Sequence, residues 1–156
     1  MKFSTSKTEL QQALQKLSKA TPTRSTLPIL GCVLIESTEE KTTLRATDLE
    51  ITIKVEIPVS LENVGSTALP HKTLLDITNE LSETRVTLSV DDKNKATIST
   101  DSGQYDSMAK PADEFPAVPD VSGAQSVEIP GKMLKDIISA TSFAVSRDEL
   151  KPAITG

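Results

Sequence analysis

The chain has no tryptophan, one tyrosine, three phenylalanines, one cysteine and one histidine in 156 residues. With so few aromatics the core has to be assembled from Leu, Ile, Val and Ala, which suits a thin layer of helix against sheet. A lone cysteine, Cys32, excludes an intrachain disulfide. Its place in an apolar run marks a small core residue and points to an intracellular address. No stretch reaches the ~20 apolar residues of a membrane span, and Met1-Lys2-Phe3 leads into polar residues rather than a signal-peptide core. A cytoplasmic protein without membrane contact is expected. Excess basic charge is also missing. A formal net charge of −5 excludes a protein that grips nucleic acid over its whole surface and leaves room for a local basic face.

Enzyme signatures are absent as well. The sequence has no phosphate loop, no dinucleotide glycine fingerprint and no metal-ligand spacing, so neither cofactor nor metal is expected. His71 falls at a helix start, where a surface or capping role is commoner than that of a base. Asp48 and Glu50 resemble a carboxylate dyad but fall in a tight turn between strands, where Asp is a usual turn former. An enzyme using them stays as the least favoured alternative.

What the sequence does have is a repeat. Leu10, Ala13, Leu14 and Leu17 stand at i, i+3, i+4 and i+7, the spacing of one stripe on an α-helix. The template fits again at Leu74, Ile77, Thr78 and Leu81, and a third time at Leu134, Ile137, Ile138 and Thr141, at intervals of 64 and 60 residues. Around the first stripe the reading is a strand over Met1 to Ser4, a helix from Ser6 or Thr8 to about Ala20, a loop over Thr21 to Leu27, and strands at 29–36, 42–47 and 51–57. The second copy follows the same order, with a strand at 66–69, a helix over 71–81 and strands at 86–90, 96–98 and 104–109. The fold class expected is α+β: a duplicated strand, helix and three-strand unit with antiparallel sheet and helices on one face. The domain expected is 1–110, with repeats at 1–57 and 66–109. Residues 111–125, rich in proline, read as an interdomain linker. Residues 126–156 read as the start of a second domain whose helix stripe lacks strands to cover it, in a chain that is part of a longer protein.

Away from their stripes the helices show Thr8, Gln12, Gln15, Lys16 and Lys19, then Lys72, Asp76 and Asn79, then Lys132, Lys135, Asp136 and Ser139. Two readings stand at this level: ordinary solvated faces, or a mild surface that meets a polyanion. Arg24, on a loop bracketed by Pro22 and Pro28 with no acid nearby in sequence, is either an idle surface arginine or a phosphate contact.

Met1-Lys2-Phe3, the Arg24 loop, Thr26-Leu27-Pro28-Ile29-Leu30-Gly31, Thr47-Asp48-Leu49-Glu50 and Asp113-Glu114-Phe115-Pro116 together resemble the bacterial DNA sliding clamp family, the β subunit of the replicative DNA polymerase III. The resemblance covers the first of that family's three domains and the opening of the second. It implies the clamp (processivity) fold and a non-catalytic processivity factor, a head-to-tail homodimer whose helices line a ring around duplex DNA without sequence specificity. Clamp loader and DNA polymerases are the implied protein partners, and the location is nucleoid-associated.

Residue by residue, the resemblance makes Arg24 a DNA contact and assigns Lys16, Lys19, Lys72, Lys132 and Arg147 to the DNA-facing surface. The implied dimer seam uses Leu74, Leu75, Gln104, Tyr105 and Ser107. Ser107 stands where a larger apolar residue is usual, and Ser102 and Gln104 stand for basic residues. Ile154 falls at the first position of the family's partner-peptide pocket. The alternative function is a repeat-built protein-interaction module that never encircles DNA.

Overall fold

The computed structural model describes residues 1–117, 127–146, 148, 150 and 152–154. Two compact units divide the chain, Met1–Val118 and Pro119–Gly156.

The first unit begins with β1 (Lys2–Ser6) and α1 (Lys7–Leu17). Ser6 is extended and its hydroxyl accepts the Glu9 N–H at 3.1 Å, satisfying one of the amides left open at a helix start. Glu9 in the first turn and Lys16 in the last complement the helix dipole. Residues Ser18–Ala20 tighten into a 3-10 turn. The stripe is inside, as its spacing requires: Leu10, Ala13, Leu14 and Leu17 are at most 2% exposed. Strands β2 (Cys32–Ser37), β3 (Thr42–Thr47), β4 (Thr52–Ile57), β5 (Ser60–Asn63) and β6 (Gly65–Pro70) follow, then α2 (His71–Glu80), β7 (Arg85–Val90), β8 (Lys95–Thr100) and β9 (Gly103–Met108). The duplicated α+β order expected from the sequence is present. Several boundaries differ: β1 runs on to Ser6, α1 ends at Leu17, and the strand expected from residue 29 starts at Cys32, because Pro28–Gly31 forms a 3-10 turn with proline in its first position.

Pairing interlocks the two copies. One sheet has the order β5-β1-β7-β8-β9 and the other β4-β3-β2-β6, both antiparallel. The first strand of each copy therefore joins the strands of the other, with Phe3 opposite Leu88 and Leu69 opposite Val33. Strand β5, which alternation did not reveal, pairs with β1 at a sheet edge.

The principal core unites Phe3, Leu14, Ile35, Leu44, Leu74, Leu88 and Ile98 between α1, α2 and the sheets. Strand alternation sends Cys32, Leu34 and Ala68 to the other face of the four-stranded sheet, where Phe115 covers them. The segment from Pro111, expected as linker, thus stays on the domain as far as Phe115, which is 6% exposed. Ala68 and Lys110 exchange backbone hydrogen bonds of 3.0 and 2.8 Å that hold it there.

The second unit contains α3 (Gly131–Thr141). Its stripe is uncovered, as the sequence implied, with Leu134 and Ile137 each 45% exposed and Ile138 55%.

Candidate nucleic-acid interface

Helices α1 and α2 lie side by side, joined by the Gln11 amide donating to Asn79 Oδ1 at 2.7 Å. The Thr8 hydroxyl also donates to Glu83, just beyond α2. Because the stripes of both helices point into one core, their polar faces turn to solvent. Gln12, Gln15, Lys16 and Lys19 are exposed and border a shallow hollow of about 430 Å³.

A second concavity, about 480 Å³, is bordered by Ser18, Thr21, Pro22, Thr23, Gly31, His71, Lys72 and Leu75. It brings the end of α1, the loop that carries Arg24 and the start of α2 around one groove. Arg24, Lys16, Lys19 and Lys72 are exposed, and none has a side-chain ion pair or hydrogen bond among the described residues. Long cationic side chains held by no ion pair keep their charge available to an outside anion.

His71 sets this geometry. It is 5% exposed, a buried residue and not the surface or capping residue expected. Its Nε2 lies 2.8 Å from the Leu14 carbonyl. A carbonyl only accepts, so Nε2 carries the proton and donates. The bond ties the start of α2 to the last turns of α1 and so fixes Lys72 relative to Lys16 and Lys19. Sequence reading missed it, although the signal was there: His71 stands three residues before Leu74 and extends the buried stripe of α2 by a turn.

The remaining sequence-derived positions are dispersed. Leu74, expected at a subunit seam, is 1% exposed and belongs to the core. Leu75 is half-buried and borders the Lys72 groove instead. Gln104, Tyr105 and Ser107 lie on β9, which pairs only with β8 and leaves its other edge open among the described residues. Tyr105 there is 38% exposed. The neighbouring Asp106 carboxyl is held below the usual carboxylate range, first by its hydrogen bond with Lys95 and then by the Thr97 hydroxyl. In the second unit Lys132 is exposed on α3, and Ile154 is 52% exposed, its carbonyl accepting the Ser146 N–H. Arg147 lies outside the described residues.

Asp48 is a turn former. Its Oδ1 accepts the N–H groups of Glu50 and Ile51 at 3.0 and 2.7 Å, and the Ile51 bond is the main reason its carboxyl sits below the usual range. Among the described residues no three His, Cys, Asp or Glu gather as metal ligands, and no helix is long and apolar enough to cross a membrane.

Fold and surface together define a duplicated helix-on-sheet wall with a mildly cationic helical face. A sequence model described as the DNA polymerase III beta subunit, N-terminal domain, matches residues 1–119. The chain belongs to that family. It is 34% identical over 164 residues to the beta sliding clamp of Synechocystis, covering 100% of this chain and 42% of that protein. To the beta sliding clamp of Chlamydia muridarum it is 30% identical over 156 residues, covering 100% of this chain and 43% of the relative. The crystal structure of the DNA polymerase sliding clamp from Bacillus subtilis superposes with a TM-score of 0.92 at 29% identity, over 97% of this chain and 42% of that one. The chain therefore spans less than half the length of the relatives it matches, and its fold is that of the sliding clamps.

Proposed function

We propose that this chain supplies the first domain, and the opening of the second, of a non-catalytic ring that encircles duplex DNA and tethers the replicative polymerase to it. The domain is 1–110, the segment 111–125 leads to the next with its first residues packed on the domain as far as Phe115, and 126–156 start the second. The observation that supports the reading is the exposed polar side of α1 and α2, with Lys16 and Lys19 at one hollow, Lys72 at the groove by the start of α2 and Arg24 on its loop, all without ion pairs among the described residues. In the second domain the DNA contacts assigned from the sequence are Lys132 and Arg147.

The mildness of this surface suits sliding. A protein holding ~6–10 phosphates binds tightly, with steep salt dependence. A closed ring retains DNA by topology and needs only a loose, wet lining of amides, hydroxyls and scattered cations. The acidic remainder of the chain keeps DNA off the wrong face. Subunits pair head to tail through the open edge of β9, with Tyr105 as apolar anchor beside Gln104 and Ser107 and with Leu75 contributing from α2. Ile154 opens the pocket for partner peptides of the clamp loader and polymerases.

The test is retention. A full-length protein carrying this chain, loaded on closed circular DNA, is expected to stay through gel filtration and to run off once the circle is linearised. Equal retention on both forms would overturn the ring. Replacing Arg24 and Lys72 by alanine is expected to lower loading without changing the fold. Unchanged loading would favour a protein-interaction module.

A further inference from the structure

His71 is bonded through one ring nitrogen only. Nε2 donates to the Leu14 carbonyl at 2.8 Å, while Nδ1 has no hydrogen-bond partner among the described residues. The residue is 5% exposed, yet Nδ1 is not sealed in, because among the described residues Arg45 Nε is the one fully buried side-chain nitrogen or oxygen that lacks a partner. Nδ1 therefore has an opening, and the groove that His71 borders together with Lys72 supplies it. With the proton on Nε2, what Nδ1 shows to that opening is a lone pair.

The rest of the groove favours the opposite kind of partner. Helix α2 starts at His71 behind Pro70, and no side chain caps it, so the positive end of the helix dipole is uncompensated there. Lys72 is exposed and makes no ion pair among the described residues, and no acid borders the groove. The other charges on the elements packed around His71 are Lys16 on the last turn of α1, Lys19 on the turn after it, Arg24 on the loop, and Asp76 one turn beyond Lys72. Such a groove attracts an anion, and the Nδ1 lone pair is the feature that repels one. A proton on Nδ1 removes that conflict.

We infer that His71 is a proton-dependent phosphate ligand: Nδ1 takes up a proton as a DNA phosphate enters the groove and donates it in a hydrogen bond to a phosphate oxygen. This face then holds DNA more firmly as the pH falls. The inference rests on the DNA-facing reading of the surface. Proton uptake at Nδ1 leaves the Nε2 bond in place, so α1 and α2 stay tied while the ring turns from acceptor to donor on its open side. A hydrogen bond between charged partners is shorter and stronger than a neutral one. A phosphodiester stays a monoanion across the neutral range, so the proton has to be taken up by the protein. A ligand that binds the protonated ring better also raises the population of that form.

Binding of a short duplex to the isotope-labelled chain, followed at low salt by nuclear magnetic resonance at about pH 8 and about pH 6, tests this. His71 is the only histidine of the chain, so its ring signals need no sorting. Binding is expected to tighten about fivefold at the lower pH, and the duplex is expected to drive the His71 Nδ1 resonance towards its protonated position. His71→Gln, whose side-chain amide keeps a donor for the Leu14 carbonyl but takes up no proton, is expected to bind equally at both pH values. Lys72→Gln is expected to weaken binding about threefold at both and to keep the ratio between them. Wild-type binding that ignores pH, or a pH ratio that survives in His71→Gln, would overturn the proposal and leave the DNA-facing surface standing. No binding at either pH would remove that surface and the proposal with it. If His71→Gln fails to fold, the wild-type Nδ1 resonance decides, since a ring that the bound duplex leaves unprotonated overturns the proposal.

Discussion

Helices α1 and α3 have the same apolar spacing and opposite fates. In α1 the stripe residues are at most 2% exposed, covered by β3, β4 and α2. In α3 the corresponding Leu134, Ile137 and Ile138 are 45–55% exposed. A stripe therefore specifies which face of a helix seeks a core, and the burial itself comes from strands brought in from elsewhere in the chain. In the first unit those strands come from both copies, since β1 and β6 cross over to each other's partners.

The largest expected effect tests that contrast. Leu14→Ala removes a side chain that is 0% exposed and is expected to cost about 2–5 kcal/mol. Ile138→Ala on α3, at 55% exposure, is expected to change stability by no more than about 0.5 kcal/mol. Urea unfolding followed by far-ultraviolet circular dichroism separates the two. Equal losses would mean that α3 is as well covered as α1 and would break the comparison.

Phe115 shows how little is needed to cover a face. It closes the back of the four-stranded sheet with Ile29 and Ala112 packed beside it. Phe115→Ala is expected to cost about 3 kcal/mol and to uncover Cys32. Burial pushes that thiol above its usual range, Lys110 draws it partly back, and Glu114 raises it again. The wild-type thiol therefore stays protonated and slow at neutral pH, since the thiolate is the reactive form. Its reaction with a disulfide reagent is expected to accelerate about tenfold or more in the variant. An unchanged rate would show that Phe115 does not shield it.

Much of the first unit was legible because helices and hairpins are local. The stripes of α1 and α2, the order of strands within each copy and the Asp48 turn follow from residues close in sequence. The exchange of β1 and β6 was not, because pairing between copies depends on residues 28 or more positions apart. Strand β5 has one apolar residue, Leu61, among its four, so alternation had nothing to register. Of the candidate surface, the exposure of Lys16, Lys19, Arg24 and Lys72 could be read from helix wheels and loop position. The groove beside Lys72 could not, because the start of α2 is tied to α1 by the bond from His71 to Leu14.

That bond gives the next prediction. His71→Ala leaves a small void and removes the tie between α1 and α2, at an expected cost of about 1–2 kcal/mol. If His71 also positions the groove, amide exchange should rise at the start of α2 more than in β7 or β8. A uniform rise would make it a core residue and nothing more.

The smallest effect concerns a turn where exposure and strain coincide. Leu49 has φ of 80° and is 59% exposed, so a branched residue holds a left-handed conformation without burying its side chain. The Asp48 carboxylate stabilises the turn by accepting the Glu50 and Ile51 amides. Leu49→Gly relieves the strain and gives the unfolded chain more freedom, and the balance is expected to be a gain of about 0.5 kcal/mol. Asp48→Ala is expected to destabilise at neutral pH. The folded carboxyl sits below its ordinary value of 3.8, so its contribution is present above that pH and falls away as the pH drops through the folded value. The gap between wild type and Asp48→Ala should therefore narrow below about pH 4. A gap that stayed constant into acid would assign the stability to the chain geometry of the turn and not to the charge that holds it.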